Sequence, residues 1–476
     1  MSEARTPQGK SGGGIRAVIA KHPMAWLITA LALVFVLLGT GAVFLGVSAA
    51  PASNAVVAVP TSTSTEKPGR VQPDSALPAV SLRTCSVGAA AADPLLGTLA
   101  ASVVDAATGA TLFDRSGASP QSPAGALQLL TAATAVATLG PDATLSTKVV
   151  DGTAPGTIVL VGGGDATLST SPDSVYTGAP LIADLAKAAM EKYTAAHPGV
   201  PITSIILDSM LWDPTDNWNP SWPTSERTAG YQPFITALMV DGDRADPTQL
   251  ISPRGEDPIV RAGQAFTAAA GLTGVTFAPG KATGSAVLAE VTSQPVSTLV
   301  SQMLMTSDNA LAEMLARASS VKQGLGGSSA SLQELMRSAL SGLGMTGTEV
   351  LTITDGSGVS AYNAVPPVFM AQLMAKIRNG DNGLDVVFDG LPIGGASGDL
   401  AERFTGDNAA AGSATHAKSG WIFHERSLAG SVTAADAAVL TFAFYGLGDA
   451  ITFDTRESLD TLVAAVYACG NNLSNN

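Results

Sequence analysis

Charge and aromatic rings are both scarce in this sequence: of its 476 residues, 13% are Asp, Glu, Lys or Arg and 5% are Phe, Trp or Tyr. Cysteine is limited to Cys85 and Cys469, and the four histidines, His22, His197, His416 and His424, lie far apart. Two cysteines exclude a disulfide-scaffold fold and a cysteine-rich zinc site. The scattered histidines give little material for a metal centre or a Ser-His-Asp triad. Cations are outnumbered, 25 against 39 acids, for a formal charge of −14, which argues against nucleic acid or another polyanion as main partner. No G-x-x-x-x-G-K-[ST] or H-E-x-x-H string occurs. Val161-Gly162-Gly163-Gly164-Asp165 lacks the lysine of a phosphate loop and reads as a tight turn between strands. Neither a metal nor a cofactor is expected.

Apolar residues, by contrast, are plentiful at 46%, enough to exclude global disorder, and the length suits two or three domains. Residues 1–23 read as a basic cytoplasmic tail with Arg5, Lys10, Arg16 and Lys21 against Glu3. Met24–Val47 then contains no charged residue. At 1.5 Å per residue a helix of this length covers about 36 Å, enough to span a bilayer. The flanking cations put the N-terminus in the cytoplasm and the main domain outside, as a single-pass membrane protein. A cleaved signal peptide is the alternative, with Ser48-Ala49-Ala50 as small residues for a peptidase. Residues 48–84, rich in Pro, Ser and Thr, read as a tether. Cys85 and Cys469 bracket the body, and outside the cytoplasm a bridge between them is expected; two unpaired buried thiols are the alternative.

Within the body, Leu99–Val104 and Thr111–Phe113 read as strands of a hairpin, and Ala124–Leu139 has helical spacing closed by Gly140-Pro141. Residues 151–290 change texture to short β-like runs (Thr157–Val161, Ile202–Leu207, Val275–Phe277), read as a strand-rich inserted domain. Helical spacing returns at Ser297–Ala318 and Pro367–Asn379. A strand pair follows at Ser427–Val432 and Ala438–Phe444, and a helix at Glu457–Ala468. The order predicts an α+β fold, with one domain built from 85–150 and 291–470 around the insertion.

Three triplets stand out together: Ser307-Asp308-Asn309, Asp355-Gly356-Ser357-Gly358 with its extra glycine, and Lys418-Ser419-Gly420. Their order, with Leu129-Leu130-Thr131 through Leu139-Gly140-Pro141-Asp142, Val161–Asp165, Ala237–Asp241 and Leu391-Pro392, resembles the D-alanyl-D-alanine carboxypeptidase/endopeptidase family of peptidase type S13. These are low-molecular-mass penicillin-binding proteins. The resemblance covers nearly all of 85–470 and implies a penicillin-recognising, transpeptidase-like domain with an antiparallel sheet, acting in peptidoglycan metabolism.

It also implies roles. The serine of S-x-x-K attacks a D-Ala-D-Ala carbonyl, and the lysine takes its proton. The serine of S-x-N relays a proton and its asparagine holds the substrate amide. The lysine and hydroxyl of K-[ST]-G bind the terminal carboxylate. Ser307, Asn309, Lys418, Ser419 and Gly420 match these, and Gly125 and Trp421 would supply oxyanion-hole N–H groups. At the nucleophile and base positions, however, stand Gly125 and Gln128, which can neither attack nor accept a proton usefully.

Literal S-x-x-K strings at Ser64–Lys67 and Ser319–Lys322 fall outside the expected place, and Ser122 has no lysine partner. The expectation is therefore a membrane-anchored, non-catalytic family member that binds stem peptide or a cell-wall protein partner. The alternatives are an active serine carboxypeptidase with an unconventional nucleophile such as Ser122 or an activated water, and a purely structural module whose site is a relic. Trp421-Ile422-Phe423-His424 is bulkier than the family's usual run and is expected to narrow or fill the groove. For Lys418 two readings stand open: an ion pair with a nearby acid, or a cradle for a peptide carboxylate.

Overall fold

The computed structural model describes residues 83–283 and 286–475. The basic tail, the expected span at 24–47 and the tether up to residue 82 lie outside the described residues. Among the described residues no helix is long and apolar enough to cross a membrane.

Two five-stranded sheets organise the chain. The first contains β1 (Thr98–Asp105), β2 (Thr111–Arg115), β8 (Thr415–Ile422), β9 (Glu425–Thr433) and β10 (Val439–Leu447). Its order is β2-β1-β10-β9-β8 and every pairing is antiparallel. It is buried on both faces, and the period of two along a strand decides which side chains go where. Val103, Leu428, Phe442 and Phe444 face one core, with Leu459, Leu462 and Val466 of a C-terminal helix (Thr455–Cys469). Val104, Ala429, Ala443 and Tyr445 face the other, with Phe369, Met370 and Leu373 of the helix Pro367–Asn379.

The second core continues into a helical cluster: α1 (Gln128–Leu139), preceded by a 3₁₀ turn at Ala124–Leu127, with Val296–Thr306, Asn309–Lys322 and Leu332–Gly342. Helical spacing over 297–318 carries the Ser307-Asp308-Asn309 triplet between two helical stretches. The structure breaks it at Ser307, which adopts a left-handed φ of 56°, and Asp308 caps the new helix by accepting a hydrogen bond from the Leu311 N–H at 3.0 Å.

The second sheet contains β3 (Ser146–Asp151), β4 (Thr157–Gly162), β5 (Ser204–Asp208), β6 (Thr276–Pro279) and β7 (Val287–Thr292), in the order β6-β5-β4-β3-β7. It is mixed: β4, β5 and β6 run parallel, β3 antiparallel to β4 and β7. Parallel neighbours need helical crossovers. These are Ile182–Ala196 and Pro258–Ala270, which make the region as helical as it is stranded. Because β3 pairs with β4 and β7, this sheet takes in 146–150 and 291–292, residues that the sequence reading gave to the flanking domain.

The glycines at 162–164 do not turn between strands as expected. Gly162 ends β4 and the other two follow it; a side chain on Gly162 would collide with the backbone of Ala237 and Leu238, and one on Gly163 with that of Ser146. Close backbone approach is what demands glycine there. Cys85 and Cys469 form the expected disulfide, with 5.4 Å between Cα atoms.

Candidate active site

The edge strand β8 carries Lys418, Ser419 and Gly420 in succession, and the turn Ala124–Leu127 lies against it. Glycine at 420 is a steric requirement. A Cβ there would meet the Gly125 and Ala126 nitrogens at 2.5 and 2.8 Å. On the turn's other side, Gly358, at a left-handed φ of 85°, lies where any side chain would strike the Ala124 carbonyl. The chain entering α1 is held between β8 and the 355–359 loop.

That loop is fixed by two buried carboxylates. Glu313 accepts from the Gly356 and Ser357 N–H groups at 2.9 and 2.8 Å. Asp355 accepts from the Gly358 and Ser360 N–H groups at 2.9 and 2.7 Å and from Trp222 Nε1 at 2.8 Å. Burial, then the charge of Asp355, pushes Glu313 up to about 7. Burial likewise raises Asp355, against the pull of its hydrogen bonds.

At the second motif, Asp308 does more than cap its helix. Its Oδ2 accepts from Arg244 Nη2 at 2.7 Å and from the Tyr176 hydroxyl at 3.1 Å, all three buried. Burial alone would raise the Asp308 carboxyl, but Arg244 and Arg254 outweigh it and hold it below its ordinary value. Nothing in the sequence marked Arg244 as the partner.

Gly125 and Gln128 both lie beside these motifs. A Cβ built on Gly125 would sit 3.6 Å from Ser307 Oγ and 3.2 Å from both Gly420 Cα and the Ser419 carbonyl oxygen. The nucleophile's place therefore faces Ser307, and no side-chain atom stands in it. Gln128 is buried beneath. Its Nε2 donates to Asn309 Oδ1 at 3.2 Å and to the Ser357 carbonyl at 3.4 Å, while Oε1 is buried with no partner among the described residues. Asn309 Nδ2 in turn donates to the Tyr231 carbonyl at 3.4 Å.

Lys418 is fully buried. Its Nζ donates to Asp399 Oδ2 at 3.2 Å and to the Ser419 carbonyl at 2.6 Å, and the Ser419 hydroxyl donates to the same Asp399 oxygen. The ion-pair reading of Lys418 is thus realised, with an acid that no motif had marked. Asp399 sits on a one-turn 3₁₀ segment, Gly398–Leu400.

These residues surround a groove of about 700 Å³ lined by Gly125, Ser307, Asn309, Ser419, Gly420 and Trp421, all named from sequence. Lys418 and Gln128 lie behind its wall. The inserted region adds Tyr231, Leu250, Ile251 and Arg254 opposite, contributions that short β-like runs did not reveal. Trp421 and Phe423 line the groove but are 60% and 83% exposed, so they form a raised apolar rim instead of filling it. Arg426 lies 4.2 Å over the Trp421 ring and supports it from behind. The rival nucleophiles are elsewhere: neither Ser122 nor Ser319 lines the groove, and both are buried.

Comparison with known proteins follows this geometry. The model of the D-Ala-D-Ala carboxypeptidase 3 (S13) family matches residues 84–274 and 256–466. Carboxypeptidase DacB of Mycolicibacterium smegmatis is 33% identical over 93% of this chain and 96% of its own. Carboxypeptidase Rv3627c of Mycobacterium tuberculosis is 34% identical over 83% of this chain and 86% of its own. Among solved structures, penicillin binding protein 4 of Haemophilus influenzae superposes with a TM-score of 0.64 over 79% of this chain and 96% of its own, at 17% identity, a likeness of fold.

Proposed function

Because the chain belongs to the D-Ala-D-Ala carboxypeptidase 3 (S13) family, we propose that it is a non-catalytic member that binds peptidoglycan stem peptide in this groove. We also propose that it does so outside the cytoplasm, tethered by residues 24–47. The basic flank of that segment and the Cys85–Cys469 bridge support the location.

The observation that carries the reading is the empty nucleophile position at Gly125, facing Ser307, with the neutral amide of Gln128 where a base would be. Acyl transfer needs an atom there. Removing a nucleophile from such a site costs on the order of 10⁶ in kcat. Ser122 does not replace it: it is buried outside the groove, its oxygen accepting from the Ala124 N–H. What remains can bind. Asn309, Ser419 and the Gly125 and Trp421 backbone face the groove, and neutral hydrogen bonds of about 1 kcal/mol each support weak, reversible capture.

Intact-mass spectrometry with an excess of β-lactam tests the reading. The expected result is no covalent adduct; a mass shift mapping to any serine of the groove would return the chain to the enzymes. In parallel, a stem-peptide analogue ending in D-Ala-D-Ala is expected to be released uncleaved after prolonged incubation.

A further inference from the structure

We propose that Asp399 sets the ligand specificity of this groove: it is an internal carboxylate seated on Lys418 and Ser419, so the resting site prefers a peptide end that is uncharged, such as a C-terminal carboxamide, over a free carboxylate. The inference rests on reading the groove as a stem-peptide site.

One Asp399 oxygen accepts from both the Lys418 ammonium, at 3.2 Å, and the Ser419 hydroxyl. A free α-carboxylate seeking those donors meets a carboxylate already there. Two carboxylates on one ammonium repel, and one must leave or take up a proton. Departure is opposed by the way the turn is built. Gly398, at a left-handed φ of 59°, is packed so closely that a Cβ would lie 2.8 Å from the Met305 carbonyl oxygen and 2.9 Å from Pro392 Cγ. Leu400, on the other side of Asp399, is fully buried.

The groove's other cations offer no second seat. Arg244 is paired with Asp308, and Arg254 donates to the carbonyls of Gly230 and Gly242. A carboxamide avoids the repulsion, and its N–H can donate to Asp399, which lines the groove with about a quarter of its side chain exposed.

The test is calorimetric titration of the full chain with two acyl-D-Ala-D-Ala peptides that differ only in ending as acid or carboxamide. It compares wild type, Asp399→Ala and Asp399→Asn, each checked by thermal melting. Asn retains an uncharged acceptor for Lys418, which guards against loss of the fold. Wild type is expected to bind the carboxamide about tenfold tighter than the acid, and both variants to bind the acid about tenfold tighter than wild type does. Equal acid affinity in wild type and both variants, or a wild-type preference for the acid, overturns the role of Asp399 and leaves the stem-peptide reading standing. Failure of both peptides to bind any of the three folded proteins removes the stem-peptide reading and the specificity argument with it.

Discussion

The two walls of the groove stand in contrast. On the helix wall, the positions that would carry bond-breaking chemistry hold Gly125 and Gln128. On the strand wall, Lys418, Ser419 and Gly420 match the family motif, and Gly420 is still the residue that lets β8 touch the turn before α1. The framework around the altered wall is nonetheless complete. Gln128 hydrogen-bonds to Asn309, Glu313 holds the 356–357 backbone, and Asp308 holds Arg244. The contrast teaches that the framework of an acyl-transfer site does not depend on its nucleophile, because separate residues do the positioning and the reacting.

Rebuilding the helix wall is the strongest way to break the contrast. The variant Gly125→Ser with Gln128→Lys is expected to gain acylation by a β-lactam, read as a covalent mass shift, where the proposed function expects none in the wild type. The acceptors around Gln128 Nε2, Asn309 Oδ1 and the Ser357 carbonyl, suit an ammonium as well as an amide. A Cβ at 125 meets β8 at 3.2 Å, so the strand must give by a few tenths of an ångström. Gly125→Ser alone should do far less, since its hydroxyl lacks a base. If the folded double variant stays unlabelled, the framework is less complete than its hydrogen bonds suggest.

A second prediction concerns what joins the groove's two sides. Arg244 and Asp308 are both buried, and removing one partner leaves a buried charge unanswered. Arg244→Ala is expected to destabilise the protein by about 3–5 kcal/mol, measured by denaturant unfolding. A loss below about 1 kcal/mol, the scale of an exposed pair, would mean that water reaches the pair.

Much of this contrast was legible in the sequence, because motif residues sit at fixed places in a known order. Four of the first sheet's five strands, α1, the disulfide and six groove-lining residues could all be named from it. Elements with local signatures came through closely: Pro367–Asn379 has proline at its start and Gly380 after its end, and it is a helix over that span. Three things were not legible. Arg244 and Asp399 act through contacts across long stretches of sequence, which no local pattern encodes. The triplet's place between two helical stretches was legible, but the left-handed backbone of Ser307 that makes the break was not. The helices Ile182–Ala196 and Pro258–Ala270 lay among short β-like runs, whose parallel pairing required just such crossovers.

The smallest expected effect is the most specific to the framework. Glu313 accepts two backbone hydrogen bonds from the loop that backs Gln128. Burial and the nearby Asp355 raise its folded-state value to about 7 from an ordinary 4.5. For an acid with a raised folded value, the folded chain binds the proton more tightly than the unfolded chain does. The sign follows: the charged form costs folding nothing below about pH 4.5, and the penalty grows as pH rises, levelling off above about pH 7. Glu313→Gln keeps one acceptor but cannot ionise. It is therefore expected to gain stability relative to wild type as pH rises across that window, by on the order of 3 kcal/mol at about 1.4 kcal/mol per pKa unit. Unfolding curves for both proteins at pH 4.5 and pH 8 measure it. A difference that does not change with pH would show that Glu313 stays ionised across the range, with the two N–H groups outweighing burial and Asp355.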